Sequence, residues 1–200
     1  LKPALPSRFF QTFVELTAGE IGWDVIRLVL DRAGVPSDHF TPETSANLNP
    51  ESAAEAYAHI QQAMRVYYGR GARGVLVRVG RKLWDRFLRE ISWIEKIQMG
   101  LIHILPLPMR YKFALDFGMR YMRTTSDSIT IHTLDLDFMV ADHLCAAATG
   151  QHSGDPLCYV TLGFIEEILL WADGREHDIF EESCRAKGSD ACEFRIKVTR

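Results

Sequence analysis

Three cysteines and a glutamate crowd the C-terminal end of this chain in a pattern that suits a metal. Glu181-x-x-Cys184 is followed eight residues later by Cys192, and Cys158 opens the apolar segment before them. Three thiolates and one carboxylate make a complete tetrahedral donor set for Zn²⁺, which takes sulfur readily and accepts an oxygen as the fourth ligand. Four protein donors leave no open coordination position, so such an ion would be structural and not catalytic. Two ligands bracketing a turn between strands, with a third from the adjoining helix, would hold a small sheet against that helix. The same spacing also describes buried reduced thiols, because cysteine often packs as a small hydrophobe. Spacing alone leaves both readings open. Cys145, the fourth cysteine, reads as an ordinary buried thiol.

Other chemistry-bearing patterns are weaker. Gly69-Arg-Gly71-Ala-Arg-Gly74 matches the dinucleotide fingerprint letter for letter. That fingerprint must follow a strand and needs an acidic residue about 20 positions on to hold a ribose. Here a capped helical pattern precedes it, so a helix C-cap and tight turn is the expectation. With that site gone, a hydride-transferring reductase has no visible cofactor motif. The seven histidines are scattered and pair with no serine or cysteine nucleophile. His103 reads as a core or pocket residue. His132 and His143 sit on strand patterns, where each faces either a cavity or half-exposed solvent.

The elements that must position these groups follow from periodicity. Ile21, Val25, Leu28 and Val29 recur at helical spacing up to Gly34 and Pro36. Asn49-Pro50-Glu51 is a helix start, with a cap, a first-turn proline and an acid at the positive end of the dipole. That helix should run to Tyr68, and further helices are expected over 75–90, 92–104 and 110–123. The period then changes. Ser128 to Leu134 alternates polar with β-branched or apolar residues, a strand signature, and 137–143 reads as its partner. A loop at 150–156, an apolar helix from Tyr159 to Trp171 and strands at 176–182 and 192–198 complete the chain. Helices first and an antiparallel sheet later predict an α+β fold, N-terminal helices followed by a small sheet with a packed helix. The expected organisation is an N-terminal helical arm over 1–48, tethered by 35–49, and a ligand-binding domain over 49–200, or one continuous domain.

Composition bounds the rest. The 200 residues are 47% apolar and 24% charged, with a net charge of −3, which describes an ordinary globular chain. The longest apolar run, Gly100 to Met109, is broken by two prolines and a histidine, too short for the roughly 20 residues of a membrane span. No secretory signal pattern opens the chain, and a reducing, cytoplasmic setting is expected. The missing initiator methionine points to a segment of something longer. Charge is uneven: residues 1–64 sum to −4, 65–90 to +6 and 91–200 to −5. The basic band reads as a solvated helix face or as a docking surface for an acidic partner. Nucleic acid is not expected, because stacking aromatics are few and the flanks are acidic.

The C-terminal stretch also resembles a known family. Cys158-Tyr-Val-Thr-Leu-Gly-Phe164 at a helix start, Phe180-Glu-Glu-Ser-Cys184 at a strand end, and Gly188-x-x-x-Cys192-Glu-Phe194 occur in order. They look like the hallmarks of the 4-vinyl reductase domain family, strongly over 155–200 and more weakly over 50–150. One departure is Ser189, where the family usually has aspartate directly after the glycine. The resemblance implies a ligand-binding fold shared with NO-signalling and Golgi-transport proteins, often dimeric. It implies zinc on Cys158, Glu181, Cys184 and Cys192, as in the effector-sensor domains of aromatic-responsive transcription activators. The stand-alone member nearest in size resembles the bacteriochlorophyll 4-vinyl reductase-like protein of chlorophyll synthesis. A hydrophobic ligand of tetrapyrrole type would then occupy a cavity between helices and sheet.

Candidate lining residues for that cavity are Trp93, Phe113, Phe117, Tyr121, His132 and Phe164, with Trp171, Met99, Met109, Met119 and Met122; plain core is the alternative. The expectation is a zinc-stabilised small-molecule-binding domain. A true vinyl reductase and the sensory domain of a larger regulator are the alternatives.

Overall fold

A computed structural model describes residues 2–32, 47–135 and 137–198. Helix α1 (Ser7–Ile21) buries Phe9, Phe10 and Phe13. It ends at Gly22, whose φ of 87° is available to glycine at no steric cost. Helix α2 (Trp23–Arg32) follows at once. The apolar spacing from Ile21 to Val29 therefore crosses a break instead of marking one helix. The expected stop at Gly34 and Pro36, and most of the tether at 35–49, lie outside the described residues.

Helix α3 (Pro50–Tyr68) is capped as its sequence predicts: the Asn49 side chain accepts from the Ser52 backbone N–H at 2.9 Å. It closes at Gly69, with φ 55°, and α4 (Gly71–Glu90) starts two residues later. The glycine-rich match is thus a helix-to-helix turn. Helix α5 (Trp93–Ile102) opens on a Ser92/Glu95 capping box. Helix α6 (Leu107–Met119) begins earlier than expected because Pro106 and Pro108 sit at its first turn, where proline costs no intrahelical hydrogen bond.

Strands β1 (Ile129–Leu134) and β2 (Asp137–Asp142) form a hairpin. Helix α7 (Tyr159–Asp173) then crosses the molecule before β3 (Asp178–Ser183) and β4 (Cys192–Lys197). The four strands make one antiparallel sheet in the order β1-β2-β4-β3. The predicted α+β class is what the chain adopts.

The central contact is α4 against α7. A Cβ on Gly80 would stand 2.1 Å from the Val160 carbonyl oxygen, and one on Gly163 would stand 2.1 Å from that of Val77. Only glycine lets these two backbones touch. Around the crossing Trp84, Phe87, Phe164, Trp171 and Tyr121 pack edge to face, tilted or stacked, at centroid separations of 4.7–6.4 Å. Phe9 and Phe13 of α1 join through Tyr57, Tyr121 and Phe164. The N-terminal helix therefore shares one core with the later elements.

Among the described residues, four of the eight cations of the basic band are paired within the fold. Arg78 and Lys82 both bind Glu20, Arg81 binds Glu166 and Glu176, and Arg86 binds Glu15 and Glu90. These pairs tie α4 to α1 and α7.

Candidate metal centre and apolar groove

The four predicted ligands come together. Cys158 is the residue before α7, Glu181 lies on β3, Cys184 follows β3 and Cys192 begins β4. A register irregularity between Glu181 and Ser183 marks the end of the β3–β4 ladder. Such bulges redirect side chains near sites, and here the irregularity begins at the glutamate. One ligand atom from each of the four residues lies within 4.8 Å of all the others. The thiol sulfurs are 3.5 Å apart for Cys158–Cys192, and 3.9 Å for both Cys158–Cys184 and Cys184–Cys192. A tetrahedral zinc with bonds of about 2.3 Å places its sulfurs about 3.8 Å apart, so the three thiols already form one face of such a tetrahedron.

The surrounding hydrogen bonds fit the same geometry. Glu181 Oε2 accepts from the Cys158 backbone N–H at 2.9 Å, while the buried Oε1 has no hydrogen-bond partner. A buried carboxylate oxygen left unpaired is costly, and a cation would satisfy it. The Arg185 backbone N–H points at the Cys192 sulfur at 3.3 Å. Burial raises the Glu181 carboxyl to about 8, the behaviour of an acidic group held without a compensating cation. A hollow of about 350 Å³ lined by Arg73, Asp155, Tyr159 and Phe180 reaches Glu181 and provides an entry path for an ion.

Two neighbours of the cluster were not anticipated. Cys145 is no isolated thiol: its sulfur lies 3.3 Å from that of Cys158. Arg65 reaches inward from α3, giving one hydrogen bond to Gln151 at 3.1 Å and leaving Nη1 buried without a partner. Burial lowers its pKa, while the charges of Tyr159, Cys158 and Cys184 oppose that. Three thiolates and a carboxylate around Zn²⁺ carry a net charge of −2, so Arg65 is placed to offset it. The signal in the sequence was an arginine three residues before the end of α3.

The expected ligand-lining residues separate into three groups. Phe164 is fully buried in the aromatic core and Tyr121, half-buried, packs against it. Met99, Met119 and Met122 are buried as well. His132 is exposed on β1, where Thr130 bonds to it and to His143. His103 packs against Trp171 at 4.4 Å. Phe113 and Phe117 instead line an open groove between α5 and α6 with Leu101, Ile102, Met109 and Arg120. Its volume is about 490 Å³, inside the usual range for small-molecule sites. The enclosed space beside Tyr57, Asp142 and Cys145, by contrast, measures about 10 Å³, room for one water. Among the described residues, that space is bounded by side chains from both the helices and the sheet.

Solved structures provide the comparison. An H-NOX protein from S. oneidensis in the Fe(II)NO ligation state superposes over 100% of both chains, with a TM-score of 0.54 and 16% identity. The H-NOX domain of Shewanella oneidensis in the Fe(II)CO state covers 96% of this chain and 97% of its own, with a TM-score of 0.52 and 13% identity. The fold is that of H-NOX domains. Identity this low speaks for architecture alone. No family model matches the chain, and no curated protein does.

Proposed function

We propose that this chain is a zinc-stabilised small-molecule-binding domain of the 4-vinyl reductase type. The observation that carries the proposal is the donor set: three thiols at tetrahedral-edge separations and a half-buried glutamate with one buried oxygen unsatisfied. Cys158, Glu181, Cys184 and Cys192 would hold the ion. The ion would fasten the start of α7 to the β3–β4 end of the sheet, adding binding energy to folding energy. All four positions are protein ligands, so the ion would activate no substrate.

The ligand site in this reading is the α5–α6 groove. Its walls are apolar, with Gln98 and Arg120 as the polar groups, which suits a hydrophobic body with one anionic or carbonyl group. A tetrapyrrole intermediate, flat and carboxylate-bearing, is the first compound to try. The Fe(II)NO and Fe(II)CO ligation states of the H-NOX neighbours support a binding role over a catalytic one, and the failed dinucleotide motif removes the one cofactor signal a reductase would have shown. Native mass spectrometry with protoporphyrin IX and with a small phenol tests this. One bound porphyrin per chain, lost in Phe113→Asp, is expected. Binding unchanged in that variant, or none, would overturn the assignment of the groove.

A further inference from the structure

The apolar surface of α5 extends well past the groove. Trp93, Ile94, Ile97, Leu101, Ile104, Leu107, Met109 and Phe113 are all exposed, with Trp93 at 70% and Ile104 at 78%. Of the residues on α5, only Met99 and Ile102 are buried. Soluble monomers rarely expose so continuous an apolar patch, and its bordering charges indicate what covers it. Of the acids there, Asp116 is paired with Arg120 and Arg123 and Glu90 with Arg8 and Arg86, while Glu95 is held ionised in its capping box. Among the described residues, Arg89, Lys96 and Lys112 have no ion-pair partner, and the Lys96 ammonium donates to the Arg89 carbonyl at 3.1 Å. A second copy would bring the same cations against themselves, which is unfavourable.

We infer that the α5–α6 face docks onto an anionic lipid bilayer, with its aliphatic residues in the acyl boundary and its lysines at the headgroups. Trp93 sits at one end of α5, where an indole occupies the headgroup level. The mode is peripheral, an apolar face bordered by cations lying in the interface, and no described helix is long and apolar enough to cross a membrane. The groove opens on the same face, so a hydrophobic ligand would pass between bilayer and protein without crossing water. The inference does not rest on the zinc site.

The test is co-sedimentation of the full chain with vesicles of phosphatidylcholine alone and of equimolar phosphatidylcholine and phosphatidylglycerol. The mixed vesicles should bind it, with a blue shift of tryptophan emission that Trp93→Phe removes. Ile97→Glu with Leu101→Glu should weaken binding at least about tenfold. Neutralising Lys96 and Lys112 to glutamine should cost roughly fivefold each on the anionic vesicles. All four positions lie on the surface, and circular dichroism verifies that each variant folds. Absence of vesicle binding would overturn the inference, as would variants that bind like the wild type. So would a stable dimer in light scattering that Ile97→Glu with Leu101→Glu converts to monomer.

Discussion

Glu181 and Cys184 sit three residues apart yet contribute differently. The thiol lies on a face whose other two corners, Cys158 and Cys192, are 3.9 Å away. The carboxylate closes the cluster and holds the Cys158 amide. Cys184→Ser removes a soft donor and should abolish stoichiometric zinc. Glu181→Gln keeps the hydrogen bond to the amide but weakens the fourth ligand, so zinc affinity measured against a chelator should fall by more than tenfold. Arg65→Met should lower that affinity about tenfold without removing any ligand, as outer-shell partners do. The four clustered residues were singled out in the sequence by their types and by the resemblance to a zinc-binding family, whereas their spacing alone left buried thiols equally open. Arg65 and Cys145 were not singled out, because each reaches the cluster from an element far away in sequence.

Asp142 gives a second prediction at this scale. Burial raises its carboxyl to about 7, above the ordinary aspartate value, so the folded state binds a proton that the unfolded chain has already lost. Its contribution to stability is complete below about pH 4 and declines as pH rises through 7, by on the order of 4 kcal/mol. Denaturation of wild type and Asp142→Asn across that range measures it. The variant should gain on the wild type as pH increases, and parallel curves would contradict the assignment.

At the scale of elements, the sequence placed α3, α5, β1, β2 and α7 because capping residues and period are local properties. It placed α1 and α2 poorly. The Ile21–Val29 spacing is continuous in letters, whereas the backbone turns at Gly22, a feature the pattern of apolar residues does not encode. The exposed face of α5 was also missed. The run from Gly100 to Met109 was weighed only as a membrane span and not as a helix lacking a polar side. Close contact between α4 and α7 supplies the prediction here. Gly163→Ala forces a methyl against the Val77 carbonyl, so the helices must separate. A loss of roughly 3 kcal/mol or more is expected in chemical denaturation, with Gly80→Ala behaving alike. An alanine tolerated at either position would mean that the two helices are not in backbone contact.

Among the described residues, a helical layer built on the aromatic core around Trp84 and Phe164 meets the four-stranded sheet through contacts such as Tyr111 against Phe138 and through the cysteine cluster at the start of α7. The sequence pattern anticipated this architecture, and the spacing of its aromatic residues suggested a ligand space between helices and sheet. Aromatic spacing marks residues that bury and does not distinguish a side chain that packs on its neighbours from one that lines a space. Only the packed structure shows that Phe164 and Tyr121 are core while Phe113 and Phe117 line a groove.

The account depends most on the metal. The decisive measurement is zinc per chain by elemental analysis of purified protein after dialysis, taken with its melting temperature before and after a strong chelator. One zinc per chain is predicted, with a fall in melting temperature on chelation that added zinc reverses and that Cys184→Ser mimics. A metal-free chain that melts at the same temperature with and without chelator would contradict it.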